Sequence, residues 1–168
     1  MKLGIMSDTH DRLDIVDKIV ELFENVDAVM HCGDICSPFV AKKLMALEGK
    51  PFYAVRGNND GDITFLNQTF AKLGPIKENG QVLDIEGRKI FQLHGHAIPE
   101  DQITDIAVAG KFDMVVYGHY HHVRNEVVGE KTLVLNPGES CGYLTGECTA
   151  MIVDLQEDGN NVVQLLQL

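Results

Sequence analysis

The chain has 168 residues, 45% hydrophobic and 23% charged, a size and balance that fit one globular domain spanning 1–168. Its 25 acidic and 14 basic residues give a net charge of −11, which argues against an extended nucleic-acid surface. No apolar run approaches the roughly 20 residues that span a bilayer, and "MKLGIMS" meets Asp8 too early for a signal peptide, so a cytoplasmic protein with no membrane attachment is expected.

"KLGIMS" (2–7) predicts a buried strand ending at Asp8. Leu13, Val16, Ile19, Val20 and Phe23 recur at helical spacing and predict a helix over 13–25. A second strand follows at 26–31. Ser37 as N-cap and Pro38 at the first helical position open a helix over 37–47. A third strand covers 51–56, and the "NNDGD" cluster at 58–62 reads as one loop. Strand, helix, strand, helix, strand is the pattern of a parallel sheet. The second half differs. A hairpin over 81–95 turns at Glu86-Gly87, a helix covers 98–109, and "FDMVVYG" (112–118) is another buried strand. Two further hairpins follow, 122–136 around Gly129 and 148–168 around Asp158-Gly159. The expected fold is α/β: two packed mixed β-sheets with helices outside. The apolar end "VVQLLQL" either pairs with another copy, giving a homo-oligomer, or covers its own sheet.

Polar clusters of one kind follow five strands: "DTH" (8–10), Asp34 after "DAVMHCG", "NND" (58–60), "HGH" (94–96) and "HYH" (119–121). In open α/β sheets, ligands bind beyond the carboxyl ends of the strands. Each signal alone is weak. D-x-H occurs by chance, and a Gly-Asp pair is usually a turn. The ordered set Asp8, His10, Asp34, Asn58, His94, His119 and His121 carries the weight, and it reads as a polynuclear metal site. Oxygen and imidazole donors without thiolate suit Mn²⁺ foremost, with Ni²⁺, Fe or Zn²⁺ as alternatives. Cys32, Cys36, Cys141 and Cys148 form no C-x-x-C pair and read as reduced thiols, Cys32 packing beneath the site. His31, inside the second strand, reads as structural, and His122 is assigned no role.

The pattern D-x-H…G-D…G-N-x-D…H-G-H…G-H-x-H, with "LNPGE" at 135–139, resembles the calcineurin-like metallophosphoesterase superfamily over nearly the whole chain. The short length is similar to its small single-domain YfcE-type phosphodiesterases. The resemblance implies a four-layer α/β/β/α sandwich and a dinuclear site. It implies one metal held by Asp8, His10 and His121, the other by Asn58, His94 and His119, with Asp34 bridging. Two such ions can share an acidified hydroxide. With only two carboxylates and a neutral Asn58, the cluster keeps a positive balance toward a small phosphodiester. The expected reaction is in-line attack of that hydroxide on phosphorus. Supporting roles fall to Asp60, which would orient a ligand, to Arg56, which would touch phosphate, and to His96, which would assist the leaving group. One departure stands out: much of the superfamily has histidine where this chain has Asn59, and an amide is no acid near neutral pH. The alternative is a non-catalytic interaction scaffold, since the small retromer subunit is similar in length and in "HGH" and "NPG". Here, however, all seven candidate ligands are present.

Overall fold

The computed structural model describes residues 1–157 and 159–168. Strands β1 (Lys2–Met6), β2 (Ala28–His31) and β3 (Phe52–Val55) alternate with helices α1 (Leu13–Leu22) and α2 (Pro38–Leu44). Helix α3 (Ile63–Phe70) and a short β4 (Ile76–Lys77) follow. The second half holds β5 (Gln81–Ile85), β6 (Arg88–Gln92), α4 (Glu100–Val108), β7 (Met114–Val116), β8 (Val123–Val128), β9 (Thr132–Pro137), β10 (Thr149–Asp154) and β11 (Val162–Gln167).

The strands form two mixed sheets, ordered β11-β10-β1-β2-β3-β4 and β5-β6-β7-β9-β8. In the first, β1 to β4 run parallel and β10 runs antiparallel to both its neighbours, β1 and β11. In the second, β6, β7 and β9 run parallel, with antiparallel β5 and β8 at the edges. Alternation along each strand sorts side chains into layers. Leu3, Ile5, Ala28 and Met30 face Ile90, Met114, Val116 and Leu135 between the sheets. Met6, Val29 and Ala54 point the other way, onto Val16, Ile19, Val40, Leu44, Leu66 and Phe70 of the first three helices. On the far side, Val115, Tyr117 and Val134 meet Ile103 and Ala107 of α4. The layers are therefore α/β/β/α, as the sequence led one to expect.

Local chemistry explains the differences from the sequence reading. The first helix stops at Leu22 because the chain then tightens, Glu24 N–H bonding to the Glu21 carbonyl and Val26 N–H to that of Phe23. The second is capped as expected, the Ser37 hydroxyl accepting from Phe39 N–H, and its last turn is a 3₁₀ turn over Met45–Leu47. Helix α3 was not anticipated. Asp62 caps it by accepting from Phe65 N–H, and Leu66 and Phe70 supply its buried i, i+4 pair. The hairpin turn at Glu86-Gly87 is as expected, whereas Asp158, half of the last proposed turn, lies outside the described residues. β11 buries Leu166 against its own sheet and leaves Val162 and Leu165 exposed at the sheet's end. No described helix is long and apolar enough to cross a membrane.

A buried amide stitches the sheets together. Gln92, at the end of β6, donates from Nε2 to the carbonyls of His31 (3.0 Å) and Tyr53 (3.1 Å), across the interface. Its Oε1 accepts from Gln81 Nε2. Replacing Gln92 by Leu keeps the volume but removes these donors from a dry interface. Gln92→Leu should lower stability by about 1–3 kcal/mol, roughly 2–12 °C in Tm. An unchanged thermal melt would show that the two carbonyls find other partners.

Candidate metal centre

The carboxyl ends of β1, β2 and β3 meet those of β6 and β7 at one edge of the sandwich, and each carries an expected site residue. The turns there are unusual. Asp8, His10, Asp34, His119 and His121 all have positive φ, between 39° and 72°. Non-glycine residues in this region cost on the order of 1–3 kcal/mol each and persist only where their surroundings dictate it. The surroundings are visible. Asp8 N–H donates to the Gly33 carbonyl, and Thr9 and His10 N–H both donate to that of Asp34. His119 N–H donates to Asp8 Oδ2 at 3.0 Å, linking the two sheets.

Two of the motif glycines are fixed by close approach. A Cβ on Gly57 would stand 2.1 Å from Asp34 Oδ1, and one on Gly118 would stand 1.9 Å from Ser7 Oγ. The Gly-Asn and Gly-His pairs therefore leave room for the carboxylates of neighbouring strands.

Asp8 is buried, its Oδ2 accepting from Ser7 Oγ as well as His119 N–H, while its Oδ1 has no hydrogen-bond partner. His10 Nε2 is also without one, 3.7 Å from Asp8 Oδ1 and 3.4 Å from Asp34 Oδ2. His121 Nε2 lies 3.2 Å from Asp8 Oδ1, and His94 Nε2 lies 3.5 Å from Asp34 Oδ2 and 3.1 Å from Asn58 Oδ1. The ring protons of two histidines are assigned by their other nitrogens. His94 Nδ1 donates to the Cys32 carbonyl at 2.7 Å, and His121 Nδ1 donates to Glu139 Oε2 at 2.8 Å. In the neutral rings, each Nε2 is then a lone pair facing oxygen lone pairs. Two groups have donor atoms close enough to share an ion: Asp8, His10 and His121, and Asp8, Asp34 and His94. The His119 ring stacks edge-on to His94 at 5.1 Å, at the rim of the same cluster.

The ionisation of the ion-free chain reflects this crowding. Burial alone would raise the Asp8 pKa, but His10, His121 and His94 more than reverse it and hold Asp8 far below the usual carboxylate range. Asp8, against burial, lifts His10 above its ordinary value and His121 to about 9. Burial pushes His94 down, and Asp34 and Asp8 outweigh it. Partial loss of hydration and the charge of His94 lower His119 and His96.

The remaining expected residues sort themselves by contact. Asp60 is buried, and burial raises its pKa. It accepts from Cys36 N–H and Gly57 N–H, both at 2.7 Å, and so braces the loops carrying Asp34 and Asn58. Arg56 reaches away to Glu78 at 2.8 Å. His96 is exposed, its ring 5.4 Å from His94 and 6.2 Å from His119. His31 is buried and neutral, its pKa pushed down to about 3 by burial, accepting from Gly33 N–H and donating to Thr9 Oγ1. Cys32 packs beneath the cluster, fully buried. His122 pairs with Glu100 of α4, outside it.

Two functional contacts escaped sequence reasoning. Asn59 does not stand free: its N–H and Nδ2 donate to the two oxygens of Asp34 at 2.8 and 2.7 Å, clamping the carboxylate. Glu139 is buried and ionised. Burial alone would raise its pKa, but Thr145, Cys141 and His121 bring it down to about 2. It also accepts from Tyr143 and Leu144 N–H. The signal was available, because β9 is a sixth parallel strand ending beside the cluster, and Glu139 follows it in "LNPGE". A cavity of about 320 Å³ opens onto His10, Asp34, His119 and His121. A larger one, about 600 Å³, lies by Arg88 and Lys131 at the opposite end of β6 and holds none of the expected ligands.

With this arrangement in hand, comparison with known proteins is informative. Residues 1–158 match the calcineurin-like phosphoesterase superfamily domain. The chain belongs to that superfamily, whose chemistry is hydrolysis of phosphoester bonds with divalent metal ions. Phosphodiesterase MJ0936 of Methanocaldococcus jannaschii is 41% identical over 162 residues, covering 94% of this chain and 95% of that one. A solved archaeal phosphodiesterase is 39% identical, covers 99% of this chain and 100% of its own, and superposes with a TM-score of 0.85. Vps29 of Chaetomium thermophilum superposes with a TM-score of 0.73 over 100% of this chain and 97% of its own. Its identity is 18%, so that likeness is one of fold.

Glu139 offers a direct test. Its folded pKa lies below the ordinary 4.5, so the unfolded chain takes the proton first on acidification. Its contribution is present above pH 4.5 and is lost as pH falls toward 2. Glu139→Gln should cost about 1.5–3 kcal/mol at neutral pH, because the replacement amide faces donors. It should also flatten the loss of stability across that acidic window. Metal affinity should fall roughly 10–100-fold as His121 loses its anchor. Denaturant melts from pH 2 to 7, with metal titration at pH 7, measure all three; wild-type behaviour in each would remove Glu139 from the site.

Proposed function

We propose that this chain is a metal-dependent phosphodiesterase that hydrolyses small phosphodiesters at a centre of two divalent ions. One observation carries the reading: Asp8 Oδ1 and His10 Nε2 are buried without a hydrogen-bond partner, while His94 and His121 spend their Nδ1 protons on Cys32 and Glu139. Such a set is costly without a cation. Asp8, His10 and His121 would hold one ion, Asn58, His94 and His119 the other, and Asp34 both. The donor types fit Mn²⁺ first, then Ni²⁺, Fe or Zn²⁺. When bound, such ions would supply Lewis acidity toward phosphate oxygens and toward water.

The chain's own groups do the rest. Among the proposed ligands only Asp8 and Asp34 are negative and Asn58 adds no charge, so with two divalent ions bound the set would be positive toward a phosphate anion. Asn59 and Asp60 hold Asp34 and its loop in register. His96 is the exposed imidazole at the rim and is assigned the proton for the leaving group, since Asn59 has none to give. Arg56 reaches phosphate only by leaving Glu78. A diester monoanion asks less charge of the site than a monoester dianion, and an aryl leaving group asks less of His96 than an alkyl one. Aryl phosphodiesters are therefore the preferred substrates. The alternative, a scaffold of the same fold, has likeness to Vps29 behind it but leaves the converging acceptors without a purpose.

Elemental analysis of Mn-loaded protein should give two ions per chain, and metal-stripped protein should be inactive. An aryl phosphodiester should turn over faster than the corresponding monoester. His119→Ala should lower both metal content and activity sharply, and His122→Ala neither. No more than one ion in the folded protein would contradict the dinuclear centre, and a monoester preference would sink the diesterase assignment.

A further inference from the structure

We infer that Tyr143 and Leu144 form an apolar wall that receives a flat aromatic group esterified to the phosphate. The inference rests on the phosphodiesterase reading and names its substrate class. Exposed large apolar side chains are common singly and usually need no explanation. These two are different in three respects. They are 60% and 76% exposed, adjacent, and line the same 320 Å³ cavity as His10, Asp34, His119 and His121. Their backbone is held: Tyr143, Leu144 and Thr145 N–H all donate to the buried Glu139 carboxylate, which also anchors His121. One carboxylate thus sets both the imidazole and the wall, and fixes their spacing.

The Tyr143 ring is also backed. The Arg12 guanidinium lies over it at 5.8 Å and is itself tied to the Cys141 carbonyl and to Asp14. A cation over one face leaves the other for an incoming ring. The wall offers contact and stacking rather than a set of hydrogen-bond partners. It selects flatness and apolar area, not a particular pattern of donors and acceptors. The cavity's size suits one ring, not a polymer, and the net charge of −11 opposes a polyanion.

Two probes with P–C bonds, which the proposed reaction cannot cleave, separate the wall from the phosphate site: diphenylphosphinate and dimethylphosphinate, titrated calorimetrically into Mn-loaded protein. Wild type should bind the diphenyl compound more tightly. Tyr143→Ala should weaken it roughly 5- to 100-fold, the range of a lost aromatic stack, and leave dimethylphosphinate unchanged. Tyr143→Phe should keep the preference, and Leu144→Ser should reduce it in part. Metal content and thermal melts establish that each variant is folded and loaded. A preference for diphenylphosphinate that survives in both Tyr143→Ala and Leu144→Ser overturns the wall while leaving the phosphodiesterase reading intact. Absence of metal-dependent binding of either probe overturns that reading, and the wall with it.

Discussion

The structure turns on one electrostatic conflict: acceptors facing acceptors in a buried place. Asp8 Oδ1 lies 3.7 Å from His10 Nε2 and 3.2 Å from His121 Nε2, and Asp34 Oδ2 lies 3.4 Å from His10 Nε2 and 3.5 Å from His94 Nε2. Positive charge must resolve it. In the ion-free chain that charge comes from protons on the imidazoles, which is why His10, His94 and His121 all rise while Asp8 and Asp34 fall. Five left-handed residues and two glycines without room for a Cβ hold the conflict in place. Backbone strain of this kind is stored where geometry matters more than stability.

The sandwich supplies the place. A single parallel sheet offers its strand ends in a row. Two such sheets, packed face to face, offer two rows that meet. Asp8 and Asp34 come from one, and His94 and His119 from the other. Gln92 pins the rows two residues before His94, and His119 N–H closes onto Asp8. The site is thus a property of the interface between sheets. It explains why most of the buried polar residues gather at one edge of an otherwise apolar core.

Much of this was legible in the sequence, because alternation and strand-end chemistry are local signals. "KLGIMSD" and "MVVYGHYH" announce both a buried strand and what lies past it. Helix α3 was not legible: its buried stripe is only Leu66 and Phe70, and the polar "NNDGD" before it hides the Asp62 cap. The clamping role of Asn59 was not legible for a different reason. Its position suggested a missing acid, whereas its contacts are those of a clamp, and a side chain's direction is not written in its spacing. Glu139 was passed over because an acidic residue after Pro-Gly reads as a turn, and its burial depends on a loop that folds back five residues later.

That loop makes the two halves of the site unequal. His94 gives its Nδ1 proton to a neutral backbone carbonyl, whereas His121 gives its proton to a carboxylate. A negative acceptor makes the opposite nitrogen the stronger electron donor. The half built on His121 is therefore the more strongly donating one. The same Glu139 carries the backbone of the exposed Tyr143 and Leu144, so the more strongly donating imidazole also stands beside an apolar border. Opposite it, Asp34 is held by neutral amide donors from Asn59, which steady the carboxylate and draw electron density from it. The two imidazoles thus sit in chemically different surroundings, one backed by a neutral carbonyl and the other by a buried carboxylate.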